Sequence, residues 1–351
     1  MIGQFNMNNI RLLIEKGYKV NIASNFNDTS VWPKERIKEF LAQMDFMNVE
    51  YFQIDFSRSA FNLKEHINAL KEMKALLKIG EYEFIHTHTP IASAIARLAA
   101  RKSATKVVYT AHGFHFYKGA PFRNWLIYYP VEKMLSAYTD VLITINREDY
   151  FRAFKHFKAK KVCYVPGIGV DLQRYESVSV DISQKRIELG VPEDAILLLS
   201  VGELSARKNH IIIIKAMQNL PDNYWYVIVG QGKLKSDLKG EDKTGRVIFL
   251  GYRNDIPELM RCADVFVFPS LQEGLPVALM EAMACKLPCV GSDIRGNRDL
   301  LPHDVLVHSF KEDKWNEKIQ SMVKNPIVVE LKKEFLVESV VTEMSKIYDA
   351  I

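Results

Sequence analysis

An α/β fold of two Rossmann-like domains is what this sequence predicts, and three observations carry that expectation. Short apolar runs of strand length alternate with longer amphipathic stretches from end to end, the pattern of parallel sheets covered by helices. The 351 residues exceed one ordinary domain, and suit two of roughly 150–180 residues. Midway, Pro166-Gly167-Ile168-Gly169-Val170-Asp171 sets a proline and two glycines before a polar stretch, which reads as a hinge. The first domain is therefore expected over 1–168 and the second over 169–335, with an amphipathic helix at 338–348 near the end.

In order, the first half places strands at 20–23, 49–54, 84–87, 106–110, 141–145 and 162–165, with helical patterns between them such as 63–77 and 92–100. Strands at 196–201, 226–229, 247–250, 265–268 and 289–291 follow in the second half. The opening departs from this scheme. A Rossmann-like domain begins with a strand, a glycine turn and a helix. Here residues 1–6, with Gly3, already read as the turn and 8–16 as the helix, so a domain without its first strand is expected.

Composition narrows the function. Hydrophobic content of 48% with 25% charge describes a soluble globular protein with a full core. A net charge of +5 is too diffuse for nucleic acid, yet it suits an acidic substrate or an anionic membrane surface. The four cysteines lack a framework spacing; Cys285 and Cys289 read as small buried hydrophobes, and a reducing cytosol is implied. The apolar runs are only strand length, so no spanning helix or signal peptide is expected. A cytoplasmic protein is expected, with a place at the inner face of the membrane as an option.

The most informative stretch is 269–281. An apolar strand run leads into a turn with Gly274 and then a helix opened by Pro276, the geometry that presents backbone N–H groups to a phosphate around Gly274, Leu275, Pro276 and Val277. Glu273 and Glu281 bracket that turn, eight positions apart. Carboxylates repel a diphosphate, so both read as acceptors for hydroxyl pairs, one on a ribose and one on a sugar. A nucleotide-sugar is the ligand this implies. In the loop after strand 196–201, Arg207 and Lys208 form a basic pair able to neutralise a diphosphate, or merely to solvate a helix start.

His86, His88, His112 and His115 cluster at strand ends of the first half, but their spacing supplies no closed zinc shell. Hydrogen bonding is the better reading. Val229-Gly230-Gln231-Gly232 is a tight turn after a strand, and Arg253 follows another. Phe114, Phe116, Tyr117, Lys118, Phe122, Arg123, Trp125, Tyr128 and Tyr129 mix aromatic and basic residues, which suits either a membrane interface or an ordinary apolar helix face. No two aspartates stand two apart, so a divalent metal clamp for the diphosphate is not expected.

The run from Asp264 through Pro288, with its Glu-x7-Glu spacing, resembles glycosyltransferase family 4, the retaining enzymes of GT-B fold. That resemblance implies two Rossmann-like domains facing across a cleft, with 336–351 packing back on the first. It implies Glu281 for ribose, Glu273 for donor-sugar hydroxyls and Lys208 for the diphosphate. His112, followed by Gly113, matches the family's histidine beside the reacting carbon. Gly3 would bring backbone against the diphosphate, Gly230 would allow close approach, and Arg253 would lie near the base. His88, His115 and Lys118 are candidates for the acceptor side. Glu203 stands where the family commonly has an arginine, a role that Arg207 can partly take over.

The stretch from Thr110 to Asn146 looks like members that build capsule or exopolysaccharide. The implied reaction is metal-independent transfer of a sugar from a UDP-sugar to a lipid-linked or saccharide acceptor, without a cofactor. The rival is a non-catalytic nucleotide-sugar-binding scaffold in the same assembly.

Overall fold

The computed structural model describes residues 2–30, 32–59 and 61–351. It divides into two compact units, Met1–Ile168 with Val340–Ile351, and Gly169–Ser339.

The first unit holds β1 (Asn21–Ser24), β2 (Glu50–Gln53), β3 (Phe84–Thr87), β4 (Lys106–Ala111), β5 (Val141–Thr144) and β6 (Lys161–Tyr164). All of the pairings are parallel, in two pieces: β1 with β2, and β3-β4-β5-β6. No ladder joins β1 to β3 among the described residues. The helix Val337–Asp349 packs Val340, Met344, Ile347 and Tyr348 on Val108, Val141 and Ile143 of the four-stranded piece.

The opening segment is a correction. Met1 lies outside the described residues, but Ile2–Phe5 is helical and Met7–Glu15 continues as a second helix, so Gly3 sits in no turn. A Cβ on Gly3 would run into the rings of Trp32 and Phe40. Aromatic packing, not an approaching phosphate, is what requires a small residue there.

The second unit holds β7 (Ile196–Val201), β8 (Tyr224–Val229), β9 (Val247–Gly251), β10 (Val265–Phe268), β11 (Cys289–Ser292) and β12 (Leu306–Val307). They form one parallel sheet in the order β12-β11-β10-β7-β8-β9. Chain order runs outward in both directions from the β7/β10 neighbours, so a topological switch point lies between them. Continuous runs such as Leu197, Leu198 and Leu199 are buried on both faces, as a doubly covered parallel sheet demands. β12, two residues long, is too short to leave a periodic signal and has no counterpart in the sequence-based assignment.

Candidate active site

At the switch point two loops leave neighbouring strands, Gly202–Asn209 after β7 and Pro269–Pro276 after β10. Open α/β sheets bind ligands outside the carboxyl ends at such a place. Asn209 adopts a left-handed conformation, φ 53°, and its side-chain amide donates to the Pro269 carbonyl at 3.3 Å. The Leu271 N–H donates to the Arg207 carbonyl at 2.8 Å. These bonds tie the loops together and bring the sequence-predicted residues into one cluster. Arg207 Nη1 and Lys208 Nζ both meet Glu273 Oε1, at 2.9 and 2.8 Å. Arg207 also donates to the Gln272 carbonyl at 3.0 Å.

Lys208 is positioned from three sides. Its stem runs past Gly202, whose place a Cβ would crowd at 3.1 Å, and its ammonium lies 4.7 Å from the Phe268 ring centroid. Burial pushes the Lys208 ammonium below its ordinary value, and the Glu273 carboxylate opposes that shift. Glu203 of the same loop also acts on the Lys208 ammonium, so two cations stand with two carboxylates in this cluster. Gly230, at φ 148° directly after β8, lets that turn lie close to the loop after β7, because a Cβ there would strike the Gly202 carbonyl.

The helix Val277–Ala284 starts after Pro276 with no side-chain cap, so no capping side chain takes up its first N–H groups. Within it, Glu281 accepts a short hydrogen bond from the Tyr175 hydroxyl, and burial pushes its carboxyl up. Two further residues hold the turn. Arg295 donates through Nε to the Glu273 carbonyl at 3.0 Å, and Gly296, at φ 80°, lies where a Cβ would meet the Gly274 carbonyl. Sequence reasoning missed Tyr175. Tyr175 lies 106 positions from its partner, and no local pattern marks it.

Arg253 is held elsewhere, donating to Asp255 at 2.7 Å and to Glu188 at 2.7 Å. Those donors hold the Asp255 carboxyl down at about 2.

A second cluster lies at the carboxyl ends of β3 and β4 in the first unit. His86 joins Tyr348 Oη through Nδ1 and Thr110 Oγ1 through Nε2, each at 2.8 Å. His88 Nδ1 lies 3.3 Å from His112 Nε2. Burial pushes His86 down to about 3 and His112 to about 4, and His88 well below its ordinary value. All three rings are therefore neutral near pH 7, able to donate at one nitrogen and accept at the other. Gly113, at φ 120°, supplies the turn that aims His112. Phe5, Asn6, Asn9, His88, His112 and Gly167 line a small pocket here.

His115 stacks on Tyr128 at 4.6 Å, and Lys118 is exposed, its backbone N–H bound to Glu148 at 2.7 Å. Among the described residues no group of three metal-ligating side chains assembles. No helix among them is long and apolar enough to cross a membrane.

Comparison with known proteins adds family context to both clusters. The family model described as "Glycosyl transferases group 1" matches residues 181–336, and the one described as "Glycosyl transferase 4-like" matches residues 4–146. The protein named "Putative glycosyltransferase EpsD" of Bacillus subtilis (strain 168) is 41% identical over 266 residues, covering 72% of this chain and 69% of that protein. The UDP-Gal:alpha-D-GlcNAc-diphosphoundecaprenol alpha-1,3-galactosyltransferase of Escherichia coli is 34% identical over 273 residues, 72% of this chain and 70% of that protein. Among solved structures, Anabaena Alr3699/HepE in complex with UDP-glucose aligns over 99% of this chain and 96% of its own, with a TM-score of 0.77 and 19% identity. That likeness concerns the fold.

Proposed function

The chain belongs to glycosyltransferase family 4, enzymes of GT-B fold, and on that premise we propose that it moves a sugar from UDP to a lipid-diphosphate-linked acceptor with retention of configuration. The observation that carries this reading is the convergence of Arg207 and Lys208 on Glu273 at the β7/β10 switch point. A diphosphate entering there meets two cations already held in place, with the first N–H groups of the helix Val277–Ala284 as further donors. We assign the diphosphate to these groups, without a divalent cation. Glu273 Oε1 holds the cations, which leaves Oε2 to accept from donor-sugar hydroxyls. Glu281, kept in position by Tyr175, is assigned to the ribose.

In the proposed step the bond from the anomeric carbon to the diphosphate oxygen breaks, and the acceptor hydroxyl attacks from the same face. Its proton passes to the departing phosphate oxygen, so no protein nucleophile is needed. Lys208 and Arg207 stabilise the charge that develops on the leaving group. His112, neutral, is assigned to a hydroxyl of the donor sugar beside the anomeric carbon, and His88 orients His112 through its ring nitrogen. His115 and Lys118 are assigned to the acceptor side. The E. coli relative's name specifies UDP-Gal as donor and alpha-D-GlcNAc-diphosphoundecaprenol as acceptor, which supports UDP and the lipid linkage here.

Calorimetric titration with UDP, GDP and ADP in the presence of EDTA tests the donor site. Saturable binding of UDP alone is expected; no binding, or binding that requires a metal, would overturn the assignment. Transfer of labelled sugar to undecaprenyl-diphosphate-linked saccharide, with the anomer of the product read by NMR, tests the reaction. An inverted product would remove the retaining mechanism.

A further inference from the structure

The helix Phe122–Leu135 turns Trp125, Tyr128 and Tyr129 inward and leaves most of its other large apolar residues outward. Trp125 and Tyr129 pack on Phe116 and Phe157, so the rings expected at a membrane interface belong mainly to the core. The opposite half of the helix carries Phe122, Leu126, Ile127, Val131 and Met134, with Leu126 67% and Ile127 53% exposed. At 100° per residue these five span one continuous half-turn of the surface. Arg123 and Lys133 are exposed in the same sector. Glu132, the one acidic residue of the helix, is buried and pairs with Arg97 at 2.9 Å.

That ion pair fixes the orientation. Arg97 also lies over the Tyr109 ring at 4.4 Å and donates to the Ser93 carbonyl. Rolling the helix to hide its aliphatic face would pull Glu132 away and leave a buried guanidinium without its charge partner. Five large apolar side chains are thus held in water by the packing beneath them, where each forgoes the gain of burial.

We propose that this face docks the protein on an anionic lipid bilayer, the helix lying in the plane of the interface. The aliphatic side chains would enter the boundary between headgroups and acyl chains, and Arg123 and Lys133 would meet lipid phosphates. Charge favours lipid over a second copy of the chain, because an isologous pairing of this face would set cations against cations with no carboxylate between them. The surface adds to the proposed use of a lipid-linked acceptor, but its test requires no transfer.

The full chain is sedimented with vesicles of phosphatidylcholine and phosphatidylglycerol, and with phosphatidylcholine alone. Binding to the anionic vesicles is expected, weakening with salt. The double variant Leu126→Glu, Ile127→Glu should lose it at least tenfold while circular dichroism and UDP titration stay unchanged. Arg123→Ala and Lys133→Ala should each lower partition about fivefold on the anionic vesicles only. Failure of the wild-type chain to bind them, or a double variant that binds equally well, would overturn the proposal. So would a dimer in sedimentation equilibrium that the double variant dissociates, since the occupant would then be a second copy. Vesicle binding without UDP binding would overturn the donor-site reading and leave this surface standing.

Discussion

Removing the Glu273 carboxylate would take the shared ion-pair partner from Arg207 and Lys208 at once, because both meet the same oxygen. Glu273→Ala is expected to fold, since the sheet beneath does not depend on it, and to lose turnover by about a hundredfold or more. Circular dichroism and a transfer assay check this; near-normal turnover would remove Glu273 from the site. Tyr175→Phe withdraws the hydroxyl that donates to Glu281, and should weaken UDP binding up to about tenfold by calorimetry. The histidines make a different kind of prediction. His86 and His112 titrate at about 3 and about 4 when folded, against 6.5 ordinarily. Below 6.5 the unfolded chain takes up protons that the folded chain refuses, so stability falls as pH drops from there toward 4. Thermal unfolding followed over that range should show the midpoint falling, and His86→Gln should flatten the slope.

Elements differ in how much of them was legible beforehand. β3, β7 and β10 form over the same residues that their apolar runs mark. Strand length, β-branched content and flanking turn residues all act within a few positions, so they survive in sequence. The helix Phe122–Leu135 was not legible in the same way. Its aromatic and aliphatic residues give no single apolar stripe, and contacts with Arg97, Tyr109, Phe116 and Phe157, all from outside the helix, decide which side turns inward. Glu132→Leu is therefore expected to destabilise the first unit by about 3–5 kcal/mol, because it strands a buried cation. Urea unfolding measures that loss, and a change below about 1 kcal/mol would show that the pair does not hold the helix. The N-terminal segment went the other way: a glycine near the start looked like a turn, and the segment is helical with that glycine set against Trp32 and Phe40.

Over the whole molecule, two units with separate sheets and cores predict two separable responses to ligand. UDP at a hundred times its dissociation constant should stabilise the second unit by about 2.7 kcal/mol. Differential scanning calorimetry should then show one transition moving up and the other staying in place. A uniform shift of both would mean that the units unfold together. The sequence by itself determined the α/β class, most strands, the family, and the strand-turn-helix that carries Glu273 and Glu281. These follow from contiguous residues, where periodicity and turn chemistry act at short range. Tertiary structure alone decided that Arg207 reaches Glu273 across 66 positions, that Tyr175 holds Glu281 across 106, and that aliphatic side chains cover the outer face of the helix Phe122–Leu135. Each of those outcomes depends on which distant segment packs beside which, and short-range patterns do not encode that choice.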